Sequence, residues 1–93
     1  MKVNLRQYAR DKECQIRLPG VCSFDTSTTV LAHLRHIGIS GIGLKAHDIL
    51  GAHACWNCHT YVDTHFDDAT MVAFYDGIAR TIALVCEKGI LKW

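Results

Sequence analysis

The stretch CWNCH, Cys55 to His59, decides how this chain folds. As a pattern it is C-x-x-C-H, which admits three readings: attachment of a c-type haem, half of a zinc site, or, from its first four residues, a thiol redox pair. A redox pair of this kind sits in a β-α-β surround, and none is legible here. Haem attachment is normally a chemistry of exported proteins. The N-terminal stretch MKVNLRQYARDKECQIR has no apolar segment of a secretory signal. Neither haem nor redox chemistry is expected, which leaves the metal.

A second pair of cysteines supports that choice. In CQIRLPGVC, Cys14 and Cys22 stand on either side of a Pro19-Gly20 turn. Two pairs on separate loops can supply the four thiolates of a closed tetrahedral zinc site. The C-x7-C spacing is wider than the usual knuckle. The plainer alternative, thiols that merely fill the core, must explain why Cys58 lies between Asn57 and His59 in a polar stretch. Cys86 falls on an apolar helical stripe and reads as a buried thiol, not a ligand. Without an export signal the expected address is a bacterial host cytosol, where thiols stay reduced and metal ligation is commoner than disulfides.

The bulk properties agree. A chain of 93 residues, 49% hydrophobic and 20% charged, is expected to be one globular domain over 1–93. So short a chain often needs a metal or disulfide staple. No apolar run reads as long enough to span a bilayer, so no membrane partner is expected. The oligomeric state is not legible. The net charge of +1 hides an asymmetry: residues 1–17 hold five Lys/Arg against two acids, residues 25–76 hold six Asp against Arg35 and Lys45, and residues 77–93 return to net +2. Basic ends around an acidic middle suit phosphates at the ends and a cation between them, although ordinary surface charge would look the same.

The elements follow from local patterns. Asn4 with Gln7 fits a capping box for a short helix over NLRQYAR, whose Lys2, Arg6 and Arg10 recur every four residues on one face. Thr28–Leu34 is β-branched and then apolar and predicts a strand. IGISGIGLK, with Gly38, Gly41 and Gly43, reads as a loop without dinucleotide-binding spacing. A short extended piece near Asp48–Ala54 can pair with the first strand, and a helix is expected from about Asn57 to His65. Met71, Tyr75, Ile78, Ile82 and Val85 step by four and three, which predicts an amphipathic helix. Asp67 or Asp68 caps its start, and Gly89 behind Lys88 stops it. The expected class is α+β with little sheet.

Within that order, His33 on a strand, Asp48 in the loop region and His59 at the start of a helix follow the sequence of the HNH nuclease motif. The pattern AHLR, D, ACWNCH resembles the cysteine-bearing HNH type, in which zinc pins a ββα-metal unit. Over nearly all of residues 5–91, the blocks ARDKECQIRLPGVC, VLAHLRHIGISGIG, ACWNCHTYVD and GIART resemble the YbcO-like family of small prophage-encoded nucleases. The resemblance implies a small zinc-stapled, HNH-like and treble-clef-like ββα-metal domain with a long C-terminal helix. It implies a metal-dependent endonuclease that hydrolyses DNA in phage or prophage DNA processing or recombination. Two positions depart from the general pattern. Ala32 stands where an Asp commonly precedes the first histidine, and Asp48 stands for the central Asn.

Phosphodiester hydrolysis needs an activated water, a Lewis acid and stabilisation of the leaving oxygen. A neutral imidazole suits the base, because it titrates near working pH. His33 is the candidate base, with His59 and Asp48 as the other candidate catalytic groups. His59 and Asp63, four apart, share a helix face and can hold a catalytic divalent cation, Mg2+ or another, with Asp63 replacing the acid missing at Ala32. Cys14, Cys22, Cys55 and Cys58 are the structural zinc ligands. Arg35, on the strand face of His33, and Lys2, Arg6 and Arg10 are the candidate DNA-phosphate contacts. His36, His47, His53 and His65 are not expected to be catalytic, with His36 and His65 the first substitutes. The rival reading is a non-enzymatic zinc module that binds nucleic acid or a phage protein. Ala32 favours the rival, and the set His33, His59, Asp63 favours the enzyme.

Overall fold

A computed structural model describes residues 4–34 and 47–90. Lys2, Arg35, His36, the glycine-rich stretch 37–45 and Trp93 lie outside the described residues. The described chain runs α1 (Leu5–Tyr8), β1 (Val30–His33), β2 (Gly51–Ala54), α2 (Trp56–Thr64) and α3 (Asp68–Glu87). It is a small α+β fold with a two-stranded antiparallel sheet and a long C-terminal helix.

Each element starts where a side chain satisfies backbone donors. Asn4 Oδ1 accepts from the Arg6 and Gln7 N–H groups at 3.0 and 3.2 Å and opens α1. Asp67 Oδ2 accepts from Thr70 N at 3.1 Å and opens α3. That helix ends as its sequence foretells. Gly89 takes φ of 71°, and Ile90 N donates to Val85 O at 2.9 Å in a Schellman closure.

Both expected strands are shortened at their N-terminal ends. Thr26–Thr28 form a 3-10 turn, capped by Asp25 Oδ1 on Ser27 N at 3.0 Å, so the first strand begins at Val30, not Thr28. Asp48–Leu50 form another, capped by His47 Nδ1 on Ile49 N at 3.1 Å, so the second strand begins at Gly51. In both places a polar side chain offers the backbone a bond that competes with the ladder. The second helix lies one residue earlier than the expected span, because Cys55 is its N-cap.

The register pairs Val30 with Ala54, Leu31 with His53, Ala32 with Ala52 and His33 with Gly51. Residues directly opposite point to one face, and alternate residues to the other. Ala32, Ala52 and Ala54 therefore share a face, and they join the buried cluster with Val62 of α2 and Phe74 and Ile78 of α3. His33 lies on the other face, with Leu31 and His53. A two-stranded sheet is marginal alone, and here its outer edge is covered. His53 N donates to Thr81 Oγ1 of α3 at 3.0 Å, and His53 O accepts from Gln15 N at 2.7 Å.

The length of α3 corrects one expectation. With 20 residues and a mean hydropathy of 1.4, it is long and apolar enough to cross a membrane by length and composition. It nevertheless buries Phe74, Ile78 and Val85 within the described fold, which is the role of a core helix. Its tightest contact is at Gly77, where an added Cβ would stand 2.8 Å from Ile16 Cγ1 and 3.1 Å from Ile16 Cα. Backbone on the far side cannot swing away. Gly77→Ala is expected to cost about 1–3 kcal/mol through overpacking, read as a lower urea midpoint. A midpoint at or above the parent's would show that the Ile16 segment yields.

Candidate functional site

Four cysteines converge from two loops. The Pro19-Gly20 turn folds Cys22 back beside Cys14, with Gly20 at φ of 74° and Cys22 N donating to Leu18 O at 2.9 Å. Cys55 ends β2 and Cys58 lies in the first turn of α2. All four Sγ atoms lie within 4.8 Å of one another, and Cys22 and Cys55 Sγ are 3.8 Å apart. Thiolates about 2.3 Å from one tetrahedral ion stand about 3.8 Å from each other, so the set fits a soft four-coordinate ion. Backbone donors already face the sulfurs: Arg17 N to Cys14 Sγ and Cys58 N to Cys55 Sγ, each at 3.5 Å. All five cysteines are free of disulfides.

The cluster is electrostatically prepared for a cation. A hydrogen bond from the Cys58 thiol pulls the Cys14 thiol down to about 4, against burial. The same bond, together with burial, pushes Cys58 far up. Burial raises the Cys22 thiol to about 11. At Cys55 burial also acts upward, but bonds from Cys58 and Ser23 outweigh it and the thiol is lowered. Cys14 and Cys55 are thus the thiols held down, and a bound metal would displace the protons of the others.

The histidines form two separate pairs. His33 Nε2 lies 2.7 Å from Asp48 Oδ1, joining the end of β1 to the turn before β2. Arg6 of α1 completes this group, with its Nε 3.6 Å from Asp48 Oδ2. The His33 bond, then the Arg6 charge, outweigh partial burial and hold the Asp48 carboxyl below its ordinary value. On α2, His59 Nε2 lies 3.5 Å from Asp63 Oδ2. The opposite ring nitrogen, His59 Nδ1, is buried without a hydrogen-bond partner, and the Trp56 ring stands 5.3 Å away. The separation suits two ligands on one cation, with the remaining positions left to water or substrate. Among the described residues the four cysteines are the one cluster of three or more possible metal ligands. The His33–Asp48 and His59–Asp63 pairs do not merge into one.

Of the expected phosphate contacts, Arg10 is exposed on the surface, Arg6 is engaged with Asp48, and Lys2 and Arg35 lie outside the described residues. His65 stacks on Tyr61 at 3.7 Å. His53 is buried, and that burial, helped by the Lys12 charge, lowers its pKa and keeps the ring neutral. Sequence reasoning missed the engagement of Arg6 with Asp48, because nothing in a four-residue spacing shows which acid a helix faces.

A small α+β domain with a four-cysteine cluster and two histidine–carboxylate pairs is the class that these features define. The comparisons narrow it. A family model described as "Putative nuclease YbcO" matches residues 3–90, and the chain belongs to the YbcO family. It is 42% identical to "Putative nuclease YbcO" of Escherichia coli (strain K12), over 96% of this chain and 97% of that one. The same figures hold for "Putative nuclease ybcO" of Enterobacteria phage 82. A solved structure described as "Structure of a putative bacteriophage protein from Escherichia coli str. K-12 substr. MG1655" is 37% identical and superposes with a TM-score of 0.75, over 92% of this chain and all of that one.

The His33–Asp48 contact makes a direct prediction. A carboxyl held low binds its proton only at pH values below the ordinary carboxylate range, so the Asp48 carboxylate persists as pH falls until that lowered value is crossed. A 13C NMR titration of Asp48 should give a midpoint below 3.8, the model-compound value. His33→Leu should raise it. An Asp48 midpoint unmoved by His33→Leu would mean that the two groups are not bonded in solution.

Proposed function

We propose that this protein is an HNH-like, divalent-metal-dependent endonuclease that hydrolyses DNA phosphodiester bonds in phage or prophage DNA processing. The observation that carries the reading is the 2.7 Å His33–Asp48 contact at the end of β1. It holds a partly exposed imidazole with one nitrogen already committed to a carboxylate. Family membership supports a nuclease, and the four-cysteine site supports a structural zinc. In this reading the zinc clamps the fold and takes no part in the chemistry.

The roles follow from the hydrogen bonds. With Nε2–H donating to Asp48, the His33 ring presents Nδ1 as the nitrogen that accepts a proton from the attacking water. Asp48 fixes that tautomer and stabilises the imidazolium that forms, and Arg6 in turn steadies Asp48. His59 Nε2 and Asp63 Oδ2 are the groups that would hold the divalent cation, Mg2+ or another. A bound cation there supplies Lewis-acid neutralisation of the phosphate charge. Exposed Arg10, with Lys2 and Arg35, supplies the surface charge that draws a nucleic-acid backbone to the site. Ala32 is the specific observation that favours the rival, a zinc module that binds DNA or a phage protein without cutting. It faces the buried alanine cluster and offers no ligand.

Nicking of supercoiled plasmid and of branched DNA with several divalent cations separates the two. His33→Ala should lower the rate by about 10²–10⁴-fold while DNA binding and thermal midpoint stay near the parent's. His59→Ala should be partly rescued by more cation, and His33→Ala should not. If His33→Ala cuts as fast as the parent, His33 is not the base. If the parent cuts under none of these conditions, the binding module is the better account.

A further inference from the structure

The two basic ends of the chain meet in one groove. Lys12 and Arg17 from the N-terminal segment and Lys88 from the end of α3 line a cavity of about 260 Å³, together with Tyr8, His53 and Glu13. Glu13 is the one carboxylate among these lining residues, so three cations face one acid. None of these side chains belongs to the His33–Asp48 or His59–Asp63 pairs.

Arg17 is the informative member. Its backbone has φ of 55°, a left-handed conformation that penalises any side chain and that glycine adopts freely. An arginine nevertheless occupies it, with its guanidinium held in place. Nε donates to Cys14 O and Nη2 to Gln15 Oε1, both at 3.2 Å. Gln15 is itself buried, at 4% exposure. Two of the five N–H donors of a guanidinium are thus fixed on the cysteine loop, which aims the others. A planar fork fixed in this way is the geometry that matches phosphate oxygens. The wall beside it is aromatic and polar. Lys12 Nζ lies 4.5 Å above the Tyr8 ring, and the Tyr8 ring stands 6.0 Å from that of His53. His53 is 2% exposed, and its Nδ1 has no hydrogen-bond partner. A buried polar atom left unpaired costs stability, and no interaction within the described fold offsets it.

We infer that this groove is a phosphate site, in which Lys12, Arg17 and Lys88 grip a phosphodiester of a nucleic-acid strand that runs on to His33. The second half rests on the nuclease reading above. The sheet register supplies the link. His53 and His33 share a face and are diagonal neighbours across the ladder, a separation of about 7–8 Å. A backbone that rises about 3.4 Å per nucleotide covers that in a few steps. The groove sets where along the strand His33 acts, and it adds contacts that Arg6 and Arg10 do not provide.

The test uses the full metal-loaded chain, a fluorescently labelled duplex oligonucleotide, and the variants Arg17→Gly and Lys88→Gln. Arg17→Gly keeps the backbone N–H that faces Cys14 Sγ, and relief of the left-handed residue offsets loss of the bonds to Cys14 O and Gln15 Oε1, so its thermal midpoint should stay close to the parent's. Both variants should bind the oligonucleotide more weakly. Each should make the slope of log affinity against log salt shallower by about 0.9, the signature of one lost phosphate contact. Unchanged affinity and slope in both variants would overturn the inference, and if the parent still cuts, the nuclease reading survives. Weakened binding in the variants beside a parent that does not cut supports the groove and removes the nuclease reading instead. A fall in thermal midpoint for Arg17→Gly with no loss of binding would make Arg17 a structural counter-charge to the sulfurs, against the inference. A parent that binds no oligonucleotide also overturns it. Shifts of the His53 ring resonances with inorganic phosphate would then reassign the groove to free phosphate.

Discussion

Four sulfur atoms within 4.8 Å of one another are the constraint on which the rest of this structure depends. Cys22 and Cys55 are far apart in sequence yet 3.8 Å apart at their sulfurs. Joining them closes a long loop, which a small chain with a two-stranded sheet can hold only at an entropic cost. A metal held by the four thiolates would offset that cost, since binding to a folded site contributes directly to folding free energy. The clamp also sets local geometry. Cys55 ends β2 and caps α2, so the junction between strand and helix is fixed by a metal ligand. His59 follows Cys58 directly. The position of the helix histidine is therefore tied to the clamp, and Ile16 and Leu18 from the cysteine loop reach the same core as Phe74 and Ile78.

The other sheet face carries the polar chemistry. Alternation along β1 puts Ala32 into the core and His33 out of it, and the short turn before β2 brings Asp48 to the imidazole. The 3-10 turn that shortens β2 is what permits this contact: an Asp48 inside the ladder would follow the alternation of the strand, whereas a turn residue is free to meet His33. Arg6, from a helix opened by Asn4, closes the group from a third segment. Membership of the YbcO family supports a nuclease; in the proposed reading, with no carboxylate at Ala32, His59 and Asp63 on α2 are the groups that would hold a cation.

Much of this was legible in the sequence, and for identifiable reasons. The long helix was plain because its apolar residues step by four and three and because Asp67 and Gly89 mark its ends. The cysteine site was plain because its two pairs each flank a tight local structure. The strands were readable only roughly, since Asp25 and His47 divert the preceding residues into turns through side-chain bonds that no apolar pattern reveals. His33 and Asp48 stand out as candidate catalytic residues through resemblance to the HNH motif, but their direct contact was not foreseen, because tertiary structure brings the two together. The basic groove was visible only as charge at both ends of the chain. What joins that charge is the left-handed backbone at Arg17 and the presence of Lys12 and Lys88 on the walls of one cavity, and neither is encoded in a local pattern.

The central claim is that one ion on Cys14, Cys22, Cys55 and Cys58 organises the fold from which the histidines project. Zinc-edge X-ray absorption of the purified protein tests it most directly. The account predicts about one zinc per chain with four sulfur neighbours at about 2.3 Å. A folded protein without zinc, or a zinc coordinated by nitrogen and oxygen in place of the four sulfurs, would contradict it.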